Sequence, residues 1–255
     1  MPLLQNHRVD ASAPALSLHG VRKDFGERHA LQALSIALRP GEVYALLGPN
    51  GAGKTTTLNL ILGFLSPDAG HVEVAGQRVD RDPLAARARI AYLPETVMLH
   101  PRLSAIENLS YFALLGGRRL DPAQARALLG EAGLQAEAHS RHAAGFSKGM
   151  RQKVGLAIAL AKNAQLLLLD EPTSGLDASA ANDLSQGVRA AAQRGLAVLM
   201  ATHDLYRVKD VADRLGILRA GRLLMERTTA DLSPAQIEAL YLQALASGAD
   251  AEPGP

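Results

Sequence analysis

A glycine-rich segment at residues 48–56 constrains the fold of this chain more than any other feature. It has the sequence Gly-Pro-Asn-Gly-Ala-Gly-Lys-Thr-Thr and directly follows an apolar run at residues 43–47. Such a loop between a buried strand and a helix directs backbone N–H groups toward one point, and the helix N-terminus adds positive potential. The pattern G-x-x-x-x-G-K-[ST] therefore predicts a phosphate-binding loop in an α/β fold, with an ordinary glycine-rich turn as the alternative.

Each residue type in this loop has a defined chemical use. Gly48, Gly51 and Gly53 allow the main chain to wrap closely around a triphosphate, because they carry no Cβ. Lys54 can reach the β and γ phosphates as a point charge, and the Thr55 hydroxyl is placed to bind a Mg²⁺ that bridges them. The predicted nucleotide-binding residues of the loop are Gly48, Pro49, Asn50, Gly51, Ala52, Gly53, Lys54, Thr55 and Thr56.

Composition favours a globular α/β protein of the cytoplasm. The 255 residues are 47% hydrophobic and only 4% aromatic, so an aliphatic core of helices on a parallel sheet is expected. The 27 basic and 25 acidic residues are interspersed, and no nucleic-acid partner is predicted. The absence of cysteine excludes disulfides, thiolate metal sites and a cysteine nucleophile. No apolar stretch approaches the roughly 20 residues that a membrane span requires.

The pattern of strands and helices predicts one sheet domain with a helical insertion. Leu16, Leu18 and Val21 alternate with polar residues, as in a half-exposed strand. Helix start signals lie within the interval 83–162, among them a capping box that begins at Ser104 and an N-cap with a following proline at Asp121. We therefore predict a helical subdomain in this interval.

The next part of the chain alternates between strand and helix. Residues 166–169 and 196–202 are apolar runs that predict strands, and a helix is expected between them at residues 177–194. This alternation implies a parallel sheet that binds ligands at the carboxyl ends of its strands.

Polar residues lie at those carboxyl ends. Asp170 and Glu171 follow the first apolar run, where two carboxylates are costly unless a cation or a reaction uses them, although acidic residues also end strands for structural reasons. We interpret Asp170 as a Mg²⁺ partner and Glu171 as the base that deprotonates an attacking water. His203 follows the second run, where a γ-phosphate contact and a purely structural role are equally compatible with its position.

These segments together resemble the nucleotide-binding subunit of an ABC transporter over residues 16–226. Residues 146–152 resemble the signature sequence of that family, residues 174–177 resemble its D-loop, and His203 resembles its switch histidine. The resemblance implies that Ser147 and Gly149 of the signature sequence touch the γ-phosphate. It adds Asp177 and Phe25 to the nucleotide-binding residues, the latter as an aromatic ring that stacks on adenine, although a lone phenylalanine near a strand end is usually part of a core.

The sequence departs from the family pattern at two motifs. Glu95 stands where the Q-loop usually has glutamine; its carboxylate could still bind Mg²⁺ or water but adds negative charge beside the phosphates. The signature sequence has Lys148 and Met150 where glycine and glutamine are commonest. Both departures are similar to the branch whose partners are exporters of the ABC-2 type.

The resemblance implies a fold and a function. The expected fold is a P-loop NTPase with a mostly parallel core sheet, an N-terminal antiparallel β region and the inserted helical subdomain. The expected division is a disordered leader at residues 1–14, the ATPase domain at 15–227, and a C-terminal helix with a flexible tail at 228–255. The expected activity is ATP hydrolysis with Mg²⁺, in which Lys54, Glu171 and His203 are the catalytic residues.

The resemblance also implies partners. Two ATPase subunits, identical or different, would sandwich two ATP molecules head to tail and drive a separate integral-membrane permease from the cytoplasmic face of the membrane. Export is preferred, and an importer ATPase is a variant of this hypothesis. A soluble ABC-type switch acting on ribosomes or DNA is the alternative from a different class.

Overall fold

The computed structural model describes residues 13–247, which form two β-sheets and eight α-helices within that range. The strands are β1 (Leu16–Phe25), β2 (Arg28–Leu38), β3 (Val43–Leu47), β4 (Ala69–Val74), β5 (Gln77–Arg78), β6 (Ile90–Leu93), β7 (Leu166–Asp170), β8 (Ala197–Thr202), β9 (Arg214–Arg219) and β10 (Arg222–Thr228). The helices are α1 (Lys54–Ile61), α2 (Pro83–Ala88), α3 (Ala105–Leu115), α4 (Pro122–Glu131), α5 (Lys148–Ala161), α6 (Ala178–Gln193), α7 (Leu205–Val211) and α8 (Pro234–Ser247).

The larger sheet has six strands in the order β10-β9-β3-β8-β7-β6. The pairs from β9 to β6 are parallel, and only the β9–β10 pair is antiparallel. Strands β3, β7 and β8 are almost completely buried because helices or the second sheet cover both faces. The predicted mostly parallel core sheet is confirmed.

The smaller sheet contains the N-terminal strands in the order β2-β1-β4-β5, all antiparallel. One of its faces is buried through residues such as Leu16, Leu18 and Val21, while the other face carries polar side chains. The predicted N-terminal antiparallel region is therefore confirmed, and irregular register in β1 explains why its alternation is imperfect.

Two hydrophobic cores lie on opposite faces of the six-stranded sheet. Along β3, the residues Val43, Ala45 and Leu47 belong to the core that includes α3 to α8, whereas Tyr44 and Leu46 belong to the core that includes α1 and the antiparallel sheet. Successive side chains of a strand point to opposite faces of the sheet. Strand β3, which leads into the glycine-rich loop, therefore contributes residues to both cores.

The interval 83–162 contains a strand as well as helices. Strand β6 pairs in parallel with β7, so the segment Ile90–Leu93 is an edge of the large sheet and not part of a helical layer. Helices α3, α4 and α5 then pack against one another. The capping box of α3 at Ser104 and the N-cap of α4 at Asp121 form as predicted, each with its side chain accepting from the N3 backbone, and Gln124 completes a capping box at Asp121 as well.

The C-terminal helix α8 packs on the core that contains α7 and β9. Ile237 is fully buried and Ala244 nearly so, while Leu240 and Tyr241 are partly exposed. This agrees with a packing role for the helix. The predicted leader falls mostly on residues 1–12, and the predicted tail on residues 248–255, which lie outside the described residues.

Candidate nucleotide-binding site

The glycine-rich loop connects the buried strand β3 to helix α1, as the sequence predicted. Gly51 and Gly53 have φ angles of 81° and 112°, in the region that only glycine adopts readily, and Gly53 is the N-cap residue of α1. A Cβ on Gly48 would lie 2.4 Å from the carbonyl oxygen of Leu218, so this position is closed to any side chain. Backbone geometry therefore requires glycine at all three positions.

The loop lines a cavity of about 330 Å³ at the carboxyl end of the parallel strands. The lining residues are Phe25, Arg28, Ala30, Pro49, Asn50, Gly51, Ala52, Gly53, Lys54, Thr55, Thr56, Glu95, Asp170 and Glu171. This set contains nearly all the loop residues predicted from the sequence, together with the two carboxylates that end β7. It places them at one edge of the sheet, where open α/β sheets bind ligands.

The Lys54 side chain is buried and surrounded by oxygen atoms. Its ammonium donates to the carbonyl oxygens of Gly48 at 2.6 Å and Pro49 at 3.3 Å, and it lies 3.4 Å from Oε1 of Glu171. These contacts hold the Lys54 ammonium, which is the only charged side-chain group at residues 48–56, inside the cavity. The positive end of α1 and this ammonium together favour an anionic ligand there.

Glu171 is held by a network from the neighbouring strand. Its Oε2 accepts from the Thr202 hydroxyl and from the His203 backbone N–H, both at 3.2 Å, and lies 2.9 Å from Nδ1 of His203. Glu171 has φ of 45°, a left-handed conformation that costs a residue with a Cβ roughly 1 kcal/mol or more. Such strain often marks functional positions, because it directs a side chain where regular strand geometry would not.

Asp170 lies beside Glu171 in a partly buried position. Burial, and then the charge of Glu171, raise the pKa of the Asp170 carboxyl above its ordinary value. Its Oδ2 accepts from the Tyr92 hydroxyl at 3.4 Å, and burial together with Asp170 raises the pKa of Tyr92 to about 12. An adjacent divalent cation would offset the repulsion between the two carboxylates.

The donor atoms in the cavity suit Mg²⁺. Thr55, Glu95 and Asp170 all line it and offer only hydroxyl and carboxylate oxygens, which are the hard ligands that this ion prefers. The residues present therefore fit the cation that the sequence predicted.

Glu95 lines the cavity and contacts residues of helix α5 and of the segment before α6. Its Oε1 accepts from the Ser174 hydroxyl at 3.1 Å and lies 3.8 Å from Nζ of Lys148. The buried Gln152 amide donates to the Glu95 carbonyl oxygen at 2.7 Å. Backbone and side chain of Glu95 are thus linked to α5 and to the segment that precedes α6.

Phe25 lies at the mouth of the cavity with 48% of its surface exposed. The core alternative for this residue is therefore wrong, and its ring is available to stack on a flat ligand. Arg28 lies beside it and donates to the Gly51 carbonyl oxygen at 3.5 Å.

The remaining predicted residues lie elsewhere. Ser147 is exposed and caps α5 by accepting from the Met150 N–H, and Asp177 caps α6 by accepting from the Ala180 N–H. Gly149 is buried, and a Cβ there would lie 2.7 Å from the Ala180 Cβ, so close packing of α5 on α6 requires this glycine. None of the three is among the described residues that line the cavity, and within one chain each has a structural function.

Several contributors were missed by the sequence analysis. Thr202 and Tyr92 contact Glu171 and Asp170 through pairings of strands that are distant along the chain, and Arg28 contacts Gly51 from strand β2 of the other sheet. Thr202 carried a usable signal, since it is a polar residue at the end of an apolar strand and directly precedes His203.

A phosphate loop between a buried parallel strand and a helix, with carboxylates at the adjacent strand end, defines a P-loop nucleotide-binding protein. Residues 31–174 match the family model described as ABC transporter. The chain belongs to this family and is an ATP-binding ATPase of the ABC transporter class.

Known proteins of this family resemble the chain over most of its length. It is 36% identical to Nod factor export ATP-binding protein I of Paraburkholderia xenovorans, over 88% of this chain and 74% of that protein. It is also 36% identical to daunorubicin resistance ATP-binding protein DrrA3 of Streptomyces coeruleorubidus, over 86% of this chain and 69% of that protein.

Solved structures agree with this assignment. An ATP-binding subunit of an ABC transporter has a TM-score of 0.78 at 32% identity, covering 91% of this chain and 99% of that one. A dimeric ATP-binding cassette in a post-hydrolysis state bound to ADP and Pi has a TM-score of 0.74 at 26% identity, covering 85% of this chain and all of that one. The predicted fold class is confirmed.

Proposed function

We propose that this chain is the motor subunit of an exporter: it pairs head to tail with a second ATPase subunit around two Mg-ATP and drives a separate integral-membrane permease. The observation that carries the ATPase part is the cluster of Lys54, Asp170, Glu171 and His203 at one end of the parallel sheet. The preference for export rests on the names of similar proteins, one of which is a Nod factor export ATP-binding protein.

In this proposal the loop and Lys54 bind the β and γ phosphates of ATP, and Phe25 stacks on the adenine. Thr55, Asp170 and Glu95 would hold Mg²⁺, which neutralises phosphate charge when it is bound. Glu171 accepts a proton from the attacking water, whose oxygen bonds to the γ-phosphorus as the bond to ADP breaks. The Thr202 hydroxyl and the His203 N–H orient the Glu171 carboxylate for this step.

The placement of Ser147 supports a second subunit. Its hydroxyl and the first N–H groups of the 14-residue helix α5 form an anion-binding end that lies outside the cavity of its own chain. A head-to-tail partner would bring this end to the γ-phosphate bound by the other chain and exclude water from it. Asp177 and Gly149 would accompany Ser147 at that interface. The dimeric cassettes among the similar structures are consistent with such pairing.

A permease requires a docking surface, and the helical region offers one. Met98, Tyr111, Leu114 and Leu115 are large apolar residues with half or more of their surface exposed. Tyr111, Leu114 and Leu115 all lie on α3, and exposed apolar patches are typical of interaction sites. Among the helices described between residues 13 and 247, none has the length and apolar character to cross a membrane.

Hydrogen bonds link the loop before α3 to that helix. The fully buried Asn108 amide donates to the carbonyl oxygens of His100, Leu103 and Ser104, and its oxygen accepts from the His100 N–H. The loop that carries Met98 is thereby fixed to helix α3, and the same stretch of chain contains Glu95 at the cavity. Movement of Glu95 on binding or hydrolysis of ATP would be transmitted to the permease. The chain would then lie on the cytoplasmic face of the membrane.

The test is to purify the Glu171→Gln variant from native membranes in mild detergent with Mg²⁺ and ATP, and to identify its partners by mass spectrometry. We expect a multi-span protein in stoichiometric amount, and the number of distinct ATPase chains distinguishes a homodimer from a heterodimer. The double variant Glu171→Gln, Ser147→Ala is the matched control, because it keeps the cavity but lacks the proposed trans contact. Recovery of ribosomal proteins or DNA-associated factors instead would replace the transport proposal with the soluble switch.

A further inference from the structure

Two histidines and a glutamate form a cluster on the antiparallel sheet, outside the set of residues that line the nucleotide cavity. His19 of β1 pairs directly with His71 of β4, and Glu73 lies two residues farther along β4 on the same face. The two imidazole rings stack with their centroids 4.6 Å apart and their planes at 23°. The Nε2 atom of His71 lies 3.4 Å from Oε1 of Glu73.

The donor atoms of these three residues converge. One nitrogen from each histidine and one oxygen from Glu73 all lie within 4.8 Å of one another. In a tetrahedral zinc site with bonds of about 2.0–2.1 Å, ligand atoms are roughly 3.4 Å apart. Rotation of the imidazole rings out of their stack and of the Glu73 side chain would bring the donor atoms to this spacing, while the hydrogen-bonded register of β1 and β4 already fixes the backbone.

The backbone at the start of β4 keeps the two histidines adjacent. Gly70 has φ of 74°, and a Cβ there would lie 2.2 Å from the His19 carbonyl oxygen. Only glycine allows β4 to approach β1 this closely at the residue that precedes His71. The cluster therefore depends on a defined backbone feature and not on two freely moving surface side chains.

Glu73 interacts electrostatically with Arg78, although no hydrogen bond joins the two side chains. Arg78 of β5 pairs in register with Glu73, but its guanidinium makes two hydrogen bonds to Asp80, at 2.8 and 2.7 Å. On the other side, Ser17 of β1 faces Glu73 and is neutral. The side chains of His71 and Glu73 are 29% and 33% exposed, so a cation from solvent can reach them.

We propose that His19, His71 and Glu73 form a binding site for a divalent transition-metal ion of the zinc class. Two imidazole nitrogens and one carboxylate oxygen suit Zn²⁺, Ni²⁺ or Cu²⁺, whereas Mg²⁺ prefers oxygen ligands alone. The site is separate from the proposed Mg²⁺ site, because none of its residues lines the nucleotide cavity. A bound ion would link β1 to β4 and stabilise the antiparallel sheet.

The test uses the full chain without a polyhistidine tag and without nucleotide, titrated with Zn²⁺ in a calorimeter and with Co²⁺ as a visible-absorption probe. We expect one equivalent bound per chain with a dissociation constant at or below about 10 μM. Zn²⁺ should also raise the melting temperature. The variants His71→Ala and Glu73→Gln should each weaken binding about 10-fold or more, which corresponds to about 1.4 kcal/mol.

The matched control is His100→Gln, since His100 is exposed and its backbone, not its imidazole, makes the hydrogen bonds to Asn108. This variant should bind Zn²⁺ as the unmodified chain does. Glu73→Gln keeps both imidazoles and their stack, so it tests the site even if His71→Ala folds poorly; unchanged Mg²⁺-dependent ATP hydrolysis checks the fold of each variant. Equal losses for His71→Ala and His100→Gln, or no stoichiometric binding at all, would overturn the proposal.

Discussion

Glu95 and Lys148 contact each other, with 3.8 Å between Oε1 and Nζ. They occupy two of the positions at which the sequence departs from the usual motifs of the family, one in the Q-loop and one in the signature sequence. Both side chains are substantially exposed, so the pair contributes little to folding stability, on the order of 0–1 kcal/mol. Its importance lies in joining the cavity to helix α5.

Replacement of Glu95 by glutamine should preserve or raise ATP hydrolysis. The amide oxygen can still accept from the Ser174 hydroxyl. The substitution also removes one of the negative charges that raise the pKa of Asp170, which favours an ionised carboxylate for Mg²⁺. Steady-state hydrolysis at several Mg²⁺ concentrations measures the effect.

The corresponding control is Lys148→Ala, alone and combined with Glu95→Gln. A double-mutant cycle on thermal stability should give a coupling of about 1 kcal/mol or less for this exposed pair. Complete loss of hydrolysis in Glu95→Gln would show that the carboxylate itself is required here.

Replacement of Glu171 by glutamine should retain ATP binding and lower turnover by about 10²–10⁴-fold, the usual contribution of general-base catalysis. Glutamine keeps an oxygen that can accept from Thr202 and from the His203 N–H, but it cannot take up the proton of water. Single-turnover phosphate release measures the rate, and size-exclusion chromatography should detect a persistent ATP-bound dimer. The exposed Glu27→Gln is the control, and undiminished hydrolysis by Glu171→Gln would reject the general-base role.

Replacement of Lys54 by alanine should weaken nucleotide binding. Hydrogen bonds from a charged donor contribute about 1.5–3 kcal/mol, so the dissociation constant for ATP should rise about 10- to 150-fold. Calorimetric titration measures it. Lys209→Ala removes a lysine whose ammonium contacts backbone carbonyls between β10 and α8, and it should leave affinity unchanged. Unchanged affinity in Lys54→Ala would contradict the role of the loop.

Replacement of Asp170 by asparagine should raise the melting temperature at pH 7.5 in buffer without Mg²⁺ or nucleotide. The pKa of Asp170 is raised in the folded chain, so the folded state holds its proton at pH values where the unfolded state has lost it. Ionisation therefore destabilises the fold as pH rises above the unfolded value of about 3.9. The gain should accordingly shrink when melting is measured at pH 4.5.

The exposed Asp231→Asn serves as the control for this measurement and should change the melting temperature little at either pH. Asparagine at position 170 can still accept from the Tyr92 hydroxyl, so the comparison isolates the charge. A lower melting temperature for Asp170→Asn at pH 7.5 would show that the carboxylate has a stabilising partner.

The features that were predictable from the sequence are local in the chain. The loop at residues 48–56, the carboxylates at Asp170 and Glu171, and the caps at Ser104 and Asp121 all depend on neighbouring residues, and the structure contains the elements they predict. Strand β6 was missed because four apolar residues give no clear period.

Contacts between strands were beyond the sequence analysis. The pairing of Asp170 with Ala201 sets the register that brings His203 to Glu171, and nothing in either segment specifies this register. The pairing of His19 with His71 is of the same kind. Such pairings depend on how strands from distant parts of the chain assemble, because the side-chain period only determines which face a residue occupies.

The five residues of β3 belong alternately to two cores, which gives this strand a particular genetic behaviour. A substitution at Ala45 should disturb packing in the core on the helical side of the sheet, and a substitution at Leu46 should disturb packing in the core that includes the antiparallel sheet. Second-site suppressors of mutations along this strand would therefore fall into two interleaved classes, located in opposite halves of the molecule. The position of the phosphate loop depends on the packing of both cores, because the loop directly follows β3. Substitutions in either core can therefore alter the nucleotide site although they do not contact it.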